Sequence, residues 1–134
     1  LAPLIPSDTE VLAGLEMGGI PIATALSLHT GLPAAFVRKA AKQYGTARLA
    51  EGAEIAGRRV TVVEDVITTG GQVVISTTDL RALGAIVDHV VCVIDRSPDQ
   101  AAALTAAGLR LHSLLTRAQL DAAEARHPHT PRST

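Results

Sequence analysis

Short, nearly unbroken apolar runs set the pattern of this chain. Residues 11–15 (VLAGL), 59–64 (RVTVVE) and 86–94 (IVDHVVCVI) are mostly apolar with little alternation, as expected of strands covered on both faces. Residues 34–38 (AAFVR) and Leu109–Leu115 read as two further strands. Between them, Pro21–Leu28 reads as a helix that stops at Gly31, because Pro suits a first turn and Gly an end. Residues 72–83 carry Val73, Val74, Leu80 and Leu83 at near-helical spacing, and Gly84 closes them. The stretches SPDQ (97–100) and TRAQ (116–119) both have the capping-box pattern, so each is expected to start a helix, with Pro98 at the first position of the former. Residues 39–57 are polar, contain Gly45, Gly52 and Gly57, and show no periodicity, which predicts a long loop. Alternating strands and helices predict an α/β fold with a mainly parallel sheet of about five strands. One domain is expected over residues 1–126, with a disordered tail over 127–134.

Sheets of this kind bind ligands at the carboxyl ends of their strands. Glu16, Arg38, Glu64–Asp65 and Asp95–Arg96 all fall at such ends. The richest of them is VTVVEDVITTGGQ (60–72), where an apolar run enters two acids, two threonines and two glycines. A strand, a glycine-containing turn and a helix start present free backbone N–H groups and a helix dipole, both of which favour an anion such as phosphate. Thr68 and Thr69 add hydroxyl donors, and Gly70 and Gly71 let the backbone come close. The loop has no Lys and the chain has no G-x-G-x-x-G, so neither an ATP-type nor a dinucleotide-type loop is present. Two carboxylates beside a phosphate cradle repel the same ligand that the cradle attracts, unless that ligand also offers hydroxyls. A ribose 5-phosphate does: residues 66–72 would take the phosphate while Glu64 and Asp65 accept hydrogen bonds from the sugar.

VVEDVITTGG resembles the phosphoribosyl-diphosphate (PRPP) signature of type I phosphoribosyltransferases. GLEMGGIPIATALSLHTGLP (14–33), FVRKAAKQYGT (36–46) and IDR (94–96) resemble the orotate members of that family in order and spacing. The resemblance covers about residues 8–96. It implies a type I phosphoribosyltransferase fold and transfer of ribose 5-phosphate from PRPP to orotate, with diphosphate released and Mg2+ carried mainly by PRPP rather than by protein ligands. On the same grounds, Glu64 and Asp65 would hold the ribose hydroxyls and stabilise positive charge on the sugar. Val66, Ile67, Thr68, Thr69, Gly70, Gly71 and Gln72 would cradle the 5-phosphate, and Thr68 would also touch orotate. Arg96 would pair with the orotate carboxylate, to which its forked donors are suited. Glu16, Met17, Gly18 and Gly19 match the diphosphate loop. Arg38, Lys39, Lys42 and Tyr44 match the PRPP-binding and mobile catalytic loop, with Lys42 neutralising the leaving diphosphate. In the family this loop closes over the neighbouring subunit's site, so a homodimer is implied.

The chain departs from the pattern in places. Gly18 stands where many relatives have Lys, Tyr44 where some have His, and Gln72 where Ser is common. The segment that forms a hood over the base is largely missing from the given residues. Two other functions share these features: transfer to another nucleobase, and PRPP binding by a regulatory module without turnover.

Composition narrows the remaining choices. The 134 residues are 47% hydrophobic but 1% aromatic, so the core is expected to be aliphatic. Twelve basic against thirteen acidic residues leave a formal charge of -1, which gives no footprint for nucleic acid or for a membrane surface. No apolar run nears the ~18 residues of a membrane span. The single Cys92 cannot form an internal disulfide, which fits a reducing, cytoplasmic compartment. Cys92 is expected in the core, and His89 and His112 in structural or surface roles.

Overall fold

Five consecutive buried residues, Val11–Leu15, form strand β1 near the middle of a six-stranded sheet. The computed structural model describes residues 1–39 and 49–128. From β1 the chain enters helix α1 (Gly19–Thr30), strand β2 (Ala34–Val37) and a short strand β3 (Ala50–Gly52). It continues through β4 (Arg59–Ile67), α2 (Gly71–Ala82), β5 (Ile86–Asp95), α3 (Ala102–Ala106), β6 (Arg110–Thr116) and α4 (Arg117–Arg126). The sheet order is β3-β2-β1-β4-β5-β6. All neighbours run parallel except β2 and β3. The winding direction reverses between β1 and β4, so the crevice beyond their carboxyl ends is a topological switch point, where α/β sheets hold ligands.

The aliphatic composition explains the layers. On one face, Val11, Ala13, Leu15, Val60, Val62, Val87 and Val90 pack with Val73 and Leu80 of α2 and Leu104 of α3. On the other, Leu12, Val63 and Val91 pack with Ala23 and Leu26 of α1, and the 3-10 turn Ala2–Leu4 closes over them. Strands covered from both sides need no alternation, which is why β1 and the first half of β4 read as runs. Cys92 is buried among them, and burial, ahead of nearby carboxylate charge, pushes its thiol up to about 12. His89 and His112 are neighbours across β5 and β6, with Nδ1 and Nε2 3.0 Å apart. Burial first, then the charges of His89 and Arg110, hold His112 below the usual imidazole range.

Several expectations are corrected. The sheet has six strands rather than five, because Ala50–Gly52 pairs antiparallel with β2 inside the expected 39–57 loop. Strand β4 does not end at Glu64. It runs on through both acids to Ile67, whose side chain is buried in the core. The SPDQ stretch does not start a helix: Asp95 Oδ1 accepts from both the amide (2.9 Å) and the hydroxyl (2.6 Å) of Ser97. The following helix begins only at Ala102, after Gln100 and Ala101 take left-handed backbone angles. The TRAQ box does form, with Thr116 Oγ1 accepting from the Gln119 amide and Gln119 returning the bond to Thr116. Residues 40–48 of the expected loop, and all but His127 and Pro128 of the expected tail, lie outside the described residues. Among the described residues no helix is long and apolar enough to cross a membrane.

Candidate functional site

After Leu15 the chain turns through Glu16, Met17 and Gly18 into α1. The Glu16 amide donates to the Val37 carbonyl (2.9 Å), which extends the β1–β2 ladder by one rung. Its carboxylate accepts the backbone N–H of Lys39. The Glu16–Met17 peptide bond is cis. Helix α1 has no side-chain cap, and its Ile20 amide donates to the Met17 carbonyl (3.2 Å). The two glycines lie close against β4. A Cβ on Gly18 would stand 2.0 Å from Asp65 Oδ2, and one on Gly19 would stand 2.3 Å from the Val63 carbonyl oxygen. The 16–19 loop therefore rests directly on the acid-bearing part of β4.

Glu64 and Asp65 are half-buried. Glu64 Oε1 accepts the Asp65 amide (3.1 Å), and Asp65 Oδ1 accepts the Val66 amide (2.7 Å). Burial pushes the Glu64 carboxyl up to about 7; the Asp65 amide opposes the shift, the Asp65 carboxylate adds to it, and the Lys39 charge again opposes it. Beyond Ile67 the chain exposes Thr68 and Thr69, and Gly70 at φ 81° opens α2, which also lacks a side-chain cap. Thr69 Oγ1 accepts the Gly71 amide at 3.3 Å, which shapes the turn. Glu64 and residues 66–73 line a small cavity of ≈ 90 Å³. A larger cavity of ≈ 540 Å³ lies between Leu1–Pro3 and α1, but its lining is apolar and His29 is its one titratable side chain. Of these two, the smaller cavity is the one lined by a carboxylate, two hydroxyls and a helix start.

The neighbouring strand ends supply cations. Arg38 follows β2, with its amide bonded to the Leu49 carbonyl (2.8 Å) and its guanidinium paired with Glu51 (3.0 Å). Lys39 is exposed beside Glu16, and its charge reaches Glu64. Arg96 follows β5, exposed, with its amide on the Ile67 carbonyl (2.8 Å). The ends of four adjacent strands thus gather Arg38 and Lys39, the 16–19 loop, Glu64–Asp65 with residues 66–72, and Arg96. Lys42 and Tyr44 lie outside the described residues. Two expected members of the cradle differ in kind. The Ile67 side chain belongs to the core and only its backbone borders the loop, and the Gln72 amide donates to Ser76 (3.2 Å) along its own helix. Sequence reasoning did not find Glu51, which sits in a stretch without periodicity.

This arrangement can bind an anion at two uncapped helix starts, accept hydrogen bonds from hydroxyls at two carboxylates, and offer guanidinium and ammonium groups at its rim. Comparison with known proteins gives the family. Residues 5–103 match the family described as phosphoribosyl transferase domain. The chain is 59% identical over 120 residues to the orotate phosphoribosyltransferase of a Nocardioides species, covering 90% of this chain and 67% of that protein. It is 42% identical over 120 residues to that of Methanocella arvoryzae, covering 90% of this chain and 69% of that one. A crystal structure of Mycobacterium tuberculosis orotate phosphoribosyltransferase in complex with PRPP superposes with a TM-score of 0.74 at 39% identity, covering 85% of this chain and 66% of that one. The chain spans about two thirds of the length of these relatives.

Proposed function

The chain belongs to the phosphoribosyl transferase domain family and, within it, to the orotate phosphoribosyltransferases, and on that premise we propose that it transfers ribose 5-phosphate from PRPP to orotate, giving orotidine 5'-monophosphate and diphosphate. One observation carries this reading furthest. The 16–19 loop lies so close on β4 that a Cβ on Gly18 would stand 2.0 Å from Asp65 Oδ2. Sites suited to the two ends of PRPP, one for diphosphate and one for the 5-phosphate, therefore flank a single pair of hydroxyl-binding acids.

In the proposed reaction the bond from the sugar C1 to diphosphate breaks as a bond to a ring nitrogen of orotate forms, and positive charge builds on the ribose. Glu64 and Asp65 accept from the 2- and 3-hydroxyls and stabilise that charge. The amides of residues 68–71 and the Thr68 and Thr69 hydroxyls hold the 5-phosphate. Arg38 and Lys39 meet the diphosphate, Lys42 neutralises it as it leaves, and Tyr44 adds a donor to it. Arg96 pairs with the orotate carboxylate.

On this reading the diphosphate of PRPP, rather than protein side chains, would hold Mg2+, which would offset the charge of the leaving group. Among the described residues no three His, Cys, Asp or Glu side chains gather as candidate metal ligands. The reading includes a homodimer that shares the catalytic loop between its subunits, and a cytoplasmic setting.

Incubating the chain with PRPP, orotate and Mg2+ and following orotidylate tests the assignment. Product is expected, and none from a folded dimer rejects it. Lys42→Ala should lower turnover far more than it weakens PRPP binding. Arg96→Ala should raise KM for orotate selectively; an unchanged KM would favour another base.

A further inference from the structure

We infer that Glu51, on the edge strand β3, is a positioning residue for the diphosphate end of the site and acts through Arg38. The inference rests on the reading that Arg38 meets the diphosphate of PRPP.

The backbone around Arg38 is fixed from both sides. The Arg38 amide bonds to the Leu49 carbonyl at 2.8 Å, and the next amide, that of Lys39, donates to the Glu16 carboxylate. Residue 38 therefore stands beside the first residue of the 16–19 loop. The side chain has fewer constraints. Of its donors, Nη2 meets Glu51 Oε1 at 3.0 Å, while Nε is buried without a hydrogen-bond partner among the described residues. A guanidinium with five N–H donors and one carboxylate contact retains donors for a second anion. A long Arg side chain at a strand end also has many rotamers to lose on binding, so a contact that restricts them beforehand favours the ligand.

The geometry of β3 serves this contact. Antiparallel pairing sets Glu51 opposite Phe36, two residues before Arg38 and on the same face of the sheet. The Arg38 side chain is 26% exposed and that of Glu51 49%, so the pair is partly withdrawn from water and less screened than a fully solvated one. Of the three residues of β3 only Ala50 packs against the main core, while Glu51 is exposed. The strand's placement of a carboxylate on Arg38 gives it a role in the site.

Calorimetric titration of the full chain with PRPP and Mg2+ tests the inference. Glu51→Ala should bind PRPP roughly three- to tenfold more weakly, the scale of one lost coupling between contacting groups. Its thermal midpoint should stay within about 2 °C of the unaltered chain, as for an exposed edge substitution. Glu51→Gln, which keeps an oxygen acceptor, should recover most of the affinity. In an Arg38→Ala background, Glu51→Ala should add nothing. Unchanged or tighter binding by Glu51→Ala, or an undiminished loss in the Arg38→Ala background, overturns the inference while leaving the proposed function intact. Failure of the unaltered chain to bind PRPP overturns both.

Discussion

Gly18 and Gly19 look alike in the sequence but are held by different neighbours, so substitutions at them should fail differently. A Cβ at Gly18 meets the end of the Asp65 side chain, which can swing aside. Gly18→Ala should therefore fold with little loss of stability but displace the acid, and calorimetry should show PRPP affinity down by about tenfold, the loss of one charged hydrogen bond. A Cβ at Gly19 meets the backbone carbonyl of Val63 inside β4, which cannot move without the sheet. Gly19→Ala should cost about 1–3 kcal/mol in thermal or denaturant unfolding. Glu64 yields a prediction of opposite sign for stability and function. Its carboxyl rises from the model-peptide value of 4.5 to about 7, so the folded protein binds the proton more tightly than the unfolded chain. The resulting stability is fully present below pH 4.5 and is lost as pH rises through about 7. Glu64→Gln removes that loss, and at pH 8 its thermal midpoint should exceed that of the unaltered chain by about 2–5 °C, a figure reduced for solvent screening of a half-buried group. PRPP binding by the same variant should fall sharply, because an amide cannot replace the carboxylate. The gathering of acids, threonines and glycines between one strand and the next helix was legible at this scale, since they follow one another in the chain. The closeness of Gly18 to Asp65 was not legible, because contact between distant segments leaves no local signal. Nor was the turning of Gln72 to Ser76.

Two stretches with one capping pattern have different outcomes, which locates the limit of local reading at the scale of elements. In TRAQ, Thr116 and Gln119 exchange their bonds and α4 starts where expected. In SPDQ, Asp95 at the end of β5 takes both donors of Ser97, and the helix start moves to Ala102. A short-range pattern is reliable only while no preceding side chain competes for the same donors, and Asp95 was treated as a site residue rather than as a competitor. Strand β3 was missed for a related reason: Ala-Glu-Gly has no strand pattern, and only pairing with β2 makes it one. The extension of β4 past its acids was missed because Glu and Asp resemble an end. Ile67 and its pairing with Asp95 carry the strand on. The α4 box also makes a test. This helix buries no residue, so little besides its cap and its contacts with β6 holds its first turn. Thr116→Ala should cost about 1 kcal/mol locally. Amide exchange in residues 117–121 should speed up, while exchange in β1 and β4 stays as slow as before.

For the whole molecule, the sheet order is the link between fold and site. Winding out from β1 to β3 and returning to β4 places two uncapped helix starts on either side of one crevice, with the acids between them. The general fold class followed from runs and helical spacings, but the reversal between β1 and β4 is a property of pairing and cannot be read from either strand alone. The consequence is a site in halves, with the 16–19 loop and Arg38 on one side and residues 64–71 on the other. A ligand that fits both halves bridges strands from both directions of winding and binds only the folded chain. At a hundred times its dissociation constant, PRPP with Mg2+ should therefore stabilise the protein by about 2.7 kcal/mol. For a domain of this size that is a rise in thermal midpoint of about 8–13 °C. Fragments separate the halves. Ribose 5-phosphate alone and diphosphate alone, each at the PRPP concentration, should both raise the midpoint, and each by less than PRPP does, because neither spans the crevice. Gly18→Ala should reduce the ribose 5-phosphate response through displaced Asp65, and Arg38→Ala the diphosphate response. A full PRPP-sized shift from diphosphate alone would mean that the acids and the 68–71 turn add nothing to binding. The switch-point crevice would then be an anion site without a sugar, and the transfer reaction would lose its structural basis.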